Sequence, residues 1–123
     1  MSDLVAIVTQ CNAAAVASVL GACREAATAG QSVRVFFRDE SIPALCRPDV
    51  TARLVEPGIV SPTLQAMLDE LAATGDVRLY ACSSSLYLWG VSVEEMLPAV
   101  FGSRGLIAFL VEDLAGATRV MTC

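Results

Sequence analysis

Histidine does not occur anywhere in the 123 residues of this chain. Its absence excludes Ser/His/Asp and Cys/His nucleophilic catalysis within one chain, so any nucleophile must be activated by backbone dipoles or by arginine. Charge is also scarce. Charged residues make up 17% of the chain, the net charge is −5, and the eight basic residues form no cluster. Nucleic-acid binding rests on clustered positive charge facing phosphates, so no nucleic-acid partner is expected. The five cysteines, at positions 11, 23, 46, 82 and 123, are odd in number and include no Cys-x-x-Cys pair. Without histidine this speaks against a zinc site and a disulfide framework, and neither metal nor cofactor is expected.

Glycine-rich phosphate loops are missing too. The stretch Thr9-Gln-Cys-Asn-Ala13 after the first apolar run has no glycine, which removes both the P-loop and the dinucleotide fingerprint. Thiol phosphatases and rhodaneses close an oxyanion loop with an arginine six positions after the cysteine, where Leu88 stands after Cys82. The adjacent acids Asp69-Glu70 and Glu94-Glu95 fall on helix surfaces and read as solvated faces, not as an acid/base pair.

Apolar residues, in contrast, reach 55% and the mean hydropathy is +0.62. That is high for a soluble monomer and implies that part of the apolar surface is buried between subunits. The length suits one domain spanning residues 1–123. Leu4 to Cys23 is uncharged and long enough for a membrane span, but the polar Thr9, Gln10 and Asn12 across its middle fit a turn between strand and helix. Met1-Ser2-Asp3 is acidic and lacks a signal-peptide pattern, so a cytoplasmic location off the membrane is the expectation.

The periodicities predict strands and helices in alternation. Leu4-Val-Ala-Ile-Val8 suits a strand buried on both faces, and Asn12 caps a helix through Ala29 that Gly30 closes. Val16, Val19, Leu20, Cys23 and Ala27 form its inward stripe, which makes Cys23 a core residue. Ser32 to Phe37 is a second strand, and Arg38 to Pro43 reads as a loop. A helical turn around Pro43 to Cys46 and an extended piece at Ala52 to Val55 follow. Ser61-Pro62 opens a helix whose face is Leu64, Met67, Leu68 and Leu71, stopped by Gly75. Ser92 to Glu95 is a capping box for a short helix ended by Pro98, and Ser103 is expected to open a helix over Leu106 to Leu114 that is buried on two sides. Thr118 to Thr122 closes the chain as a strand. This order predicts a three-layer α/β/α domain with a mainly parallel sheet of about five strands.

Reactive groups in such sheets gather outside the carboxyl ends of the strands. Cys11 follows the first strand, Cys46 lies beyond the second, Cys82 ends the strand that starts at Val77 and Cys123 follows the last, so four of the five cysteines fall toward the same edge of the sheet in this reading. Cys82 is the candidate catalytic residue. Val77, Leu79 and Ala81 alternate with Arg78 and Tyr80 before it, and three serines after it favour a helix start. A thiol at a strand-to-helix junction meets unpaired backbone N–H groups and the positive end of a helix, which favour the reactive thiolate.

The stretch Val77 to Glu95 around Cys82, continued through Gly105-Leu-Ile-Ala-Phe-Leu110, resembles the DsrE/DsrF-like family of small sulfur-relay proteins, particularly its peroxiredoxin-like branch. The resemblance implies the three-layer fold, assembly into trimers or hexamers, and a persulfide carried on the cysteine matching Cys82. The Pro-x-x-x-Thr-x-x-Cys arrangement of true peroxiredoxins is absent, so peroxidase activity is not implied. The function expected is therefore a cytoplasmic sulfur carrier, a possible sulfurtransferase, exchanging sulfur with donor and acceptor proteins. Two alternatives stay open: a redox sensor in which Cys11 or Cys123 resolves an oxidised Cys82, and a non-catalytic oligomeric ligand-binding module.

Overall fold

The computed structural model describes residues 2–123; Met1, part of the acidic start read above, lies outside the described residues. Five strands form one parallel sheet: β1 (Leu4–Val8), β2 (Val33–Phe37), β3 (Val77–Cys82), β4 (Val100–Arg104) and β5 (Arg119–Thr122), in the order β4-β3-β2-β1-β5. The helices are α1 (Ala13–Thr28), α2 (Ile42–Leu45), α3 (Pro48–Leu54), α4 (Pro62–Ala72), α5 (Ser83–Trp89) and α6 (Leu106–Phe109), the last running on as a π-turn over Leu110–Leu114. This is the three-layer α/β/α domain that the sequence predicts.

Direction of travel decides which face each helix takes. From β1 the chain steps to β2, β3 and β4 in one direction, and right-handed crossovers put the intervening helices on one side of the sheet. Leu20 of α1, Leu45 of α2, Leu68 of α4 and Leu86 of α5 accordingly share one core with Ala6, Val35 and Leu79 of the strands. The return from β4 to β5 runs the other way. It carries α6 and its π-turn across the opposite face, where Phe109 packs on Val5, Phe36 and Tyr80. One face is therefore covered by five helices and the other by a single short segment.

Local signals explain most element ends. Asn12 caps α1 by accepting from the Ala15 amide at 3.1 Å, and Ser61 caps α4 by accepting from Thr63 at 3.1 Å. Gly90 ends α5 in the left-handed region, at φ 71°, where other residues are strained. The capping box at Ser92 and Glu95 is formed.

Four expectations need correction. Residues 52–54 are helical, because Pro48 opens α3 at its first turn and the helix runs through them. The loop expected from Arg38 contains a 3₁₀ turn over Asp39–Ser41 that leads directly into α2. Ser103 lies inside β4 and does not open a helix; Gly105 occupies the N-cap position of α6. Leu106 to Leu114 is buried on one side only, since Ile107 and Val111 are 76% and 67% exposed.

The main core sets stability. Leu68 is fully buried between α4 and the sheet. Leu68→Ala should lower unfolding free energy by about 3 kcal/mol, the usual cost of a cavity of that size, read as a drop in the urea midpoint. An unchanged midpoint would mean that α4 does not pack as described.

Candidate functional site

Cys82 is the last residue of β3 and the N-cap residue of α5, at the junction expected from the sequence. Strand alternation fixes its direction. Leu79 and Ala81 join the helix-rich core, whereas Tyr80 and Cys82 point to the other face and pack with Val5, Phe36 and Phe109. The thiol makes no capping hydrogen bond to α5, and Cys82 is only 2% exposed. It sits in an apolar chamber beneath the 106–114 segment.

The other four cysteines lie with the opposite face. Cys23 and Cys46 belong to the helix-rich core, and Cys11 and Cys123 pack against it. Burial pushes Cys23 up to about 11, with the Cys123 thiol nearby adding to the rise, and pushes Cys46 up to about 12. Burial also raises Cys11, whose Sγ–H donates to the Glu40 carbonyl at 2.7 Å, and Cys123. Cys11 and Cys123 follow the ends of β1 and β5, whereas Cys46 follows α2, and the sheet separates the surroundings of all three from that of Cys82.

Charged side chains around the chamber were not singled out by the sequence. Arg104 pairs in register with Cys82 on the neighbouring strand. Its guanidinium turns back over the Tyr80 ring, 4.4 Å from the centroid, and donates to the Tyr80 hydroxyl at 3.1 Å. It also pairs with Glu112 and, at 3.0 Å, with Asp113. Asp113 is 7% exposed and lies 4.0 Å from Arg34 on β2. On the other side, Arg38 follows Phe37, the partner of Ala81, so the extended register brings it level with Cys82. Its Nε is buried and stands 3.3 Å from Asp39 Oδ2, close enough for an ion pair but misaligned for a hydrogen bond.

Beside α5 an open groove of about 400 Å³ is lined by Asp39, Glu40, Ser85, Leu88 and Trp89. Ser85 lies one helical turn beyond Cys82 and accepts the Asp39 amide at 3.0 Å, while Trp89 Nε1 donates to the Asp39 carbonyl at 2.8 Å. These two bonds hold Asp39 in the left-handed region at φ 53°, uncommon for a residue with a Cβ. Among the described residues no group of His, Cys, Asp or Glu could hold a metal ion, and no helix is long and apolar enough to cross a membrane.

A parallel five-strand sheet with helices on both faces defines a small three-layer α/β/α protein, in which Cys82 stands at a strand-to-helix junction on the thinly covered face. The DsrE/DsrF-like family model matches residues 4–118, and the chain belongs to that family. Solved structures of similar fold include the ychN protein from E. coli, with 20% identity, complete coverage of both chains (100% and 100%) and a TM-score of 0.73. MTH1491 from Methanobacterium thermoautotrophicum is similar at 18% identity over 98% of this chain and 97% of its own, with a TM-score of 0.70. BT1422 from Bacteroides thetaiotaomicron gives 13% identity over 98% and 95%, with a TM-score of 0.64. At these identities the likeness establishes the fold. No curated protein sequence matches significantly.

The buried thiols have a consequence for alkaline stability. Folding raises Cys23 and Cys46 above their ordinary value of 9.0, so the native state holds these protons more tightly than the unfolded chain does. Their contribution is intact below about pH 9 and is lost as pH rises toward about 11 for Cys23 and about 12 for Cys46. The urea midpoint should fall across this window, and Cys46→Ala, although less stable at neutral pH, should show a shallower fall. Parallel slopes for the two proteins would show that Cys46 does not titrate this way.

Proposed function

We propose that the protein is a sulfur carrier in which Cys82 accepts sulfane sulfur from a donor and passes it to an acceptor thiol. The observation that carries this reading is the isolation of Cys82 from every other thiol of the chain. A persulfide with a second thiol beside it is destroyed when that thiol attacks the inner sulfur, forming a disulfide and expelling hydrogen sulfide. A persulfide alone on its sheet face survives until a partner arrives. Family membership supports a role connected with sulfur relay.

The transfer needs no external oxidant. The Cys82 thiolate attacks the outer sulfur of a donor persulfide, one S–S bond forms as the donor S–S bond breaks, and the donor leaves as a thiolate. The proton on the outer sulfur travels with it. Delivery repeats these events with Cys82 as leaving group. Intact-mass spectrometry after incubation with glutathione persulfide tests the reading: wild type should gain the mass of one sulfur and Cys82→Ser should gain none. Modification of Cys11 in its place, or of no residue, would defeat it. A redox sensor would show a peroxide-induced disulfide, for which Cys82 has no resolving thiol on its own face.

We further propose that the chain works as a homo-oligomer, a trimer or hexamer. Tyr87 and Leu88 on α5 are 85% and 81% exposed, and Phe101, Ile107 and Val111 add apolar surface on the thinly covered side. Light scattering should give a multiple of 12.9 kDa, and Val111→Glu should reduce it. A 12.9 kDa particle at micromolar concentration would sink the proposal.

A further inference from the structure

Within the described residues, every member of the Cys82 chamber that does not come from the sheet comes from one stretch: Leu106, Phe109, Leu114 and Ala117. Phe109 is fully buried and stacks on Phe36, ring centroids 4.4 Å apart and planes 18° apart. The helical part of this stretch, residues 106–114, is short and lies between two glycines, Gly105 at the N-cap of α6 and Gly116 in the left-handed region at φ 83°. Its hydrogen bonding loosens midway from α to a π-turn, closed by the Ala115 amide donating to the Leu110 carbonyl at 3.0 Å. Its outward residues Ile107 and Val111 touch little, being 76% and 67% exposed. Besides Phe109 and the partly buried Leu106 and Leu114, what ties it down is ionic: Glu112 pairs with Arg104 at the exposed edge, and Asp113, one helical turn beyond Phe109 on the same inward stripe, reaches Arg104 at 3.0 Å and stands 4.0 Å from Arg34.

We propose that residues 106–114 form a lid over Cys82, latched by Asp113 between Arg34 and Arg104, and that sulfur enters and leaves only when the lid lifts. This rests on the carrier reading for its purpose, but the access it describes is a property of the thiol alone. In loading, a donor persulfide must bring its outer sulfur into line with the Cys82 Sγ, and in delivery an acceptor thiolate must reach the outer sulfur held there; a residue that is 2% exposed offers neither approach. The latch suits reversible opening because Arg104, on releasing Asp113 and Glu112 of the lid, keeps partners on the sheet: the Tyr80 hydroxyl lies at 3.1 Å and the Tyr80 ring beneath it. Arg34 likewise keeps Asp76 at 3.0 Å.

Alkylation rates of the native protein, read residue by residue with iodoacetamide and mass spectrometry, test the lid. Cys46, buried on the opposite face, reports global opening in the same sample. In wild type, Cys82 should react at least about tenfold slower than in the urea-unfolded chain, as expected for a group exposed only by local opening. Asp113→Asn should raise the Cys82 rate about three- to tenfold while leaving Cys46 unchanged, so the Cys82-to-Cys46 ratio rises. Phe109→Leu, which shortens the anchor and keeps the latch, should raise the same ratio and serves if Asp113→Asn folds poorly. A native Cys82 rate equal to the unfolded rate, or a ratio that stays constant in both variants, would overturn the lid. Failure of the carrier reading looks different: Cys82 that alkylates faster in Asp113→Asn yet takes no sulfur from glutathione persulfide leaves the lid standing and removes its proposed cargo.

Discussion

The handedness of the strand crossovers governs how this protein is built. Three successive steps in one direction along the sheet place α1 through α5 on one face, and only the return from β4 to β5 can cover the other. The strand period of two then assigns Cys82 to the thinly covered face, because Ala81 before it belongs to the thick core. A one-residue shift of β3 would exchange them and bury the thiol beneath five helices. Topology thus leaves one face covered by a single short segment, and register supplies the cysteine beneath it.

How much of this was legible in the sequence depended on whether one segment carried its own signal. β1, α1, α4 and β3 each combine a clean apolar period with a capping residue or a turn, and Cys82 was found because it ends such a strand. β4 was not seen. Val100-Phe-Gly-Ser-Arg104 has a glycine at its centre, exposes Phe101 at 60%, and breaks register against β3 between Leu79 and Tyr80, so no alternation survives in the sequence. Missing β4 also hid Arg104, whose role depends on lying beside Cys82. The 106–114 segment was read as apolar on two sides because Ile107 and Val111 are apolar, whereas the inward stripe runs through Leu106, Phe109 and Asp113. A carboxylate on an inward stripe becomes intelligible only when Arg34 and Arg104, from distant strands, are seen to meet it.

All eight basic residues of the chain are arginines. Around the chamber this matters, because one planar guanidinium can lie over a ring, donate to its hydroxyl and reach two carboxylates at once, as Arg104 does with Tyr80, Glu112 and Asp113. A lysine could satisfy one of these partners at a time. The same geometry keeps positive charge back over Tyr80, so the thiol itself lies among apolar side chains. At 2% exposure that thiol, and any sulfur it were to hold, is shielded by packing from small thiols in solution.

Assembly and access act on the same nine residues from opposite sides. The lid's inner face closes on Cys82 and its outer face presents Ile107 and Val111, the apolar surface assigned above to a second copy. A second copy that packed on that surface in its closed form only would, by linkage, lower the population of the open form by the same factor. Loading and delivery would then be favoured wherever a donor or acceptor competes with the subunit contact for Ile107 and Val111. Under that coupling the donor need not recognise Cys82 at all. It needs only an apolar surface that grips the outside of the lid more tightly when the lid is raised, with its own sulfur placed where the chamber opens.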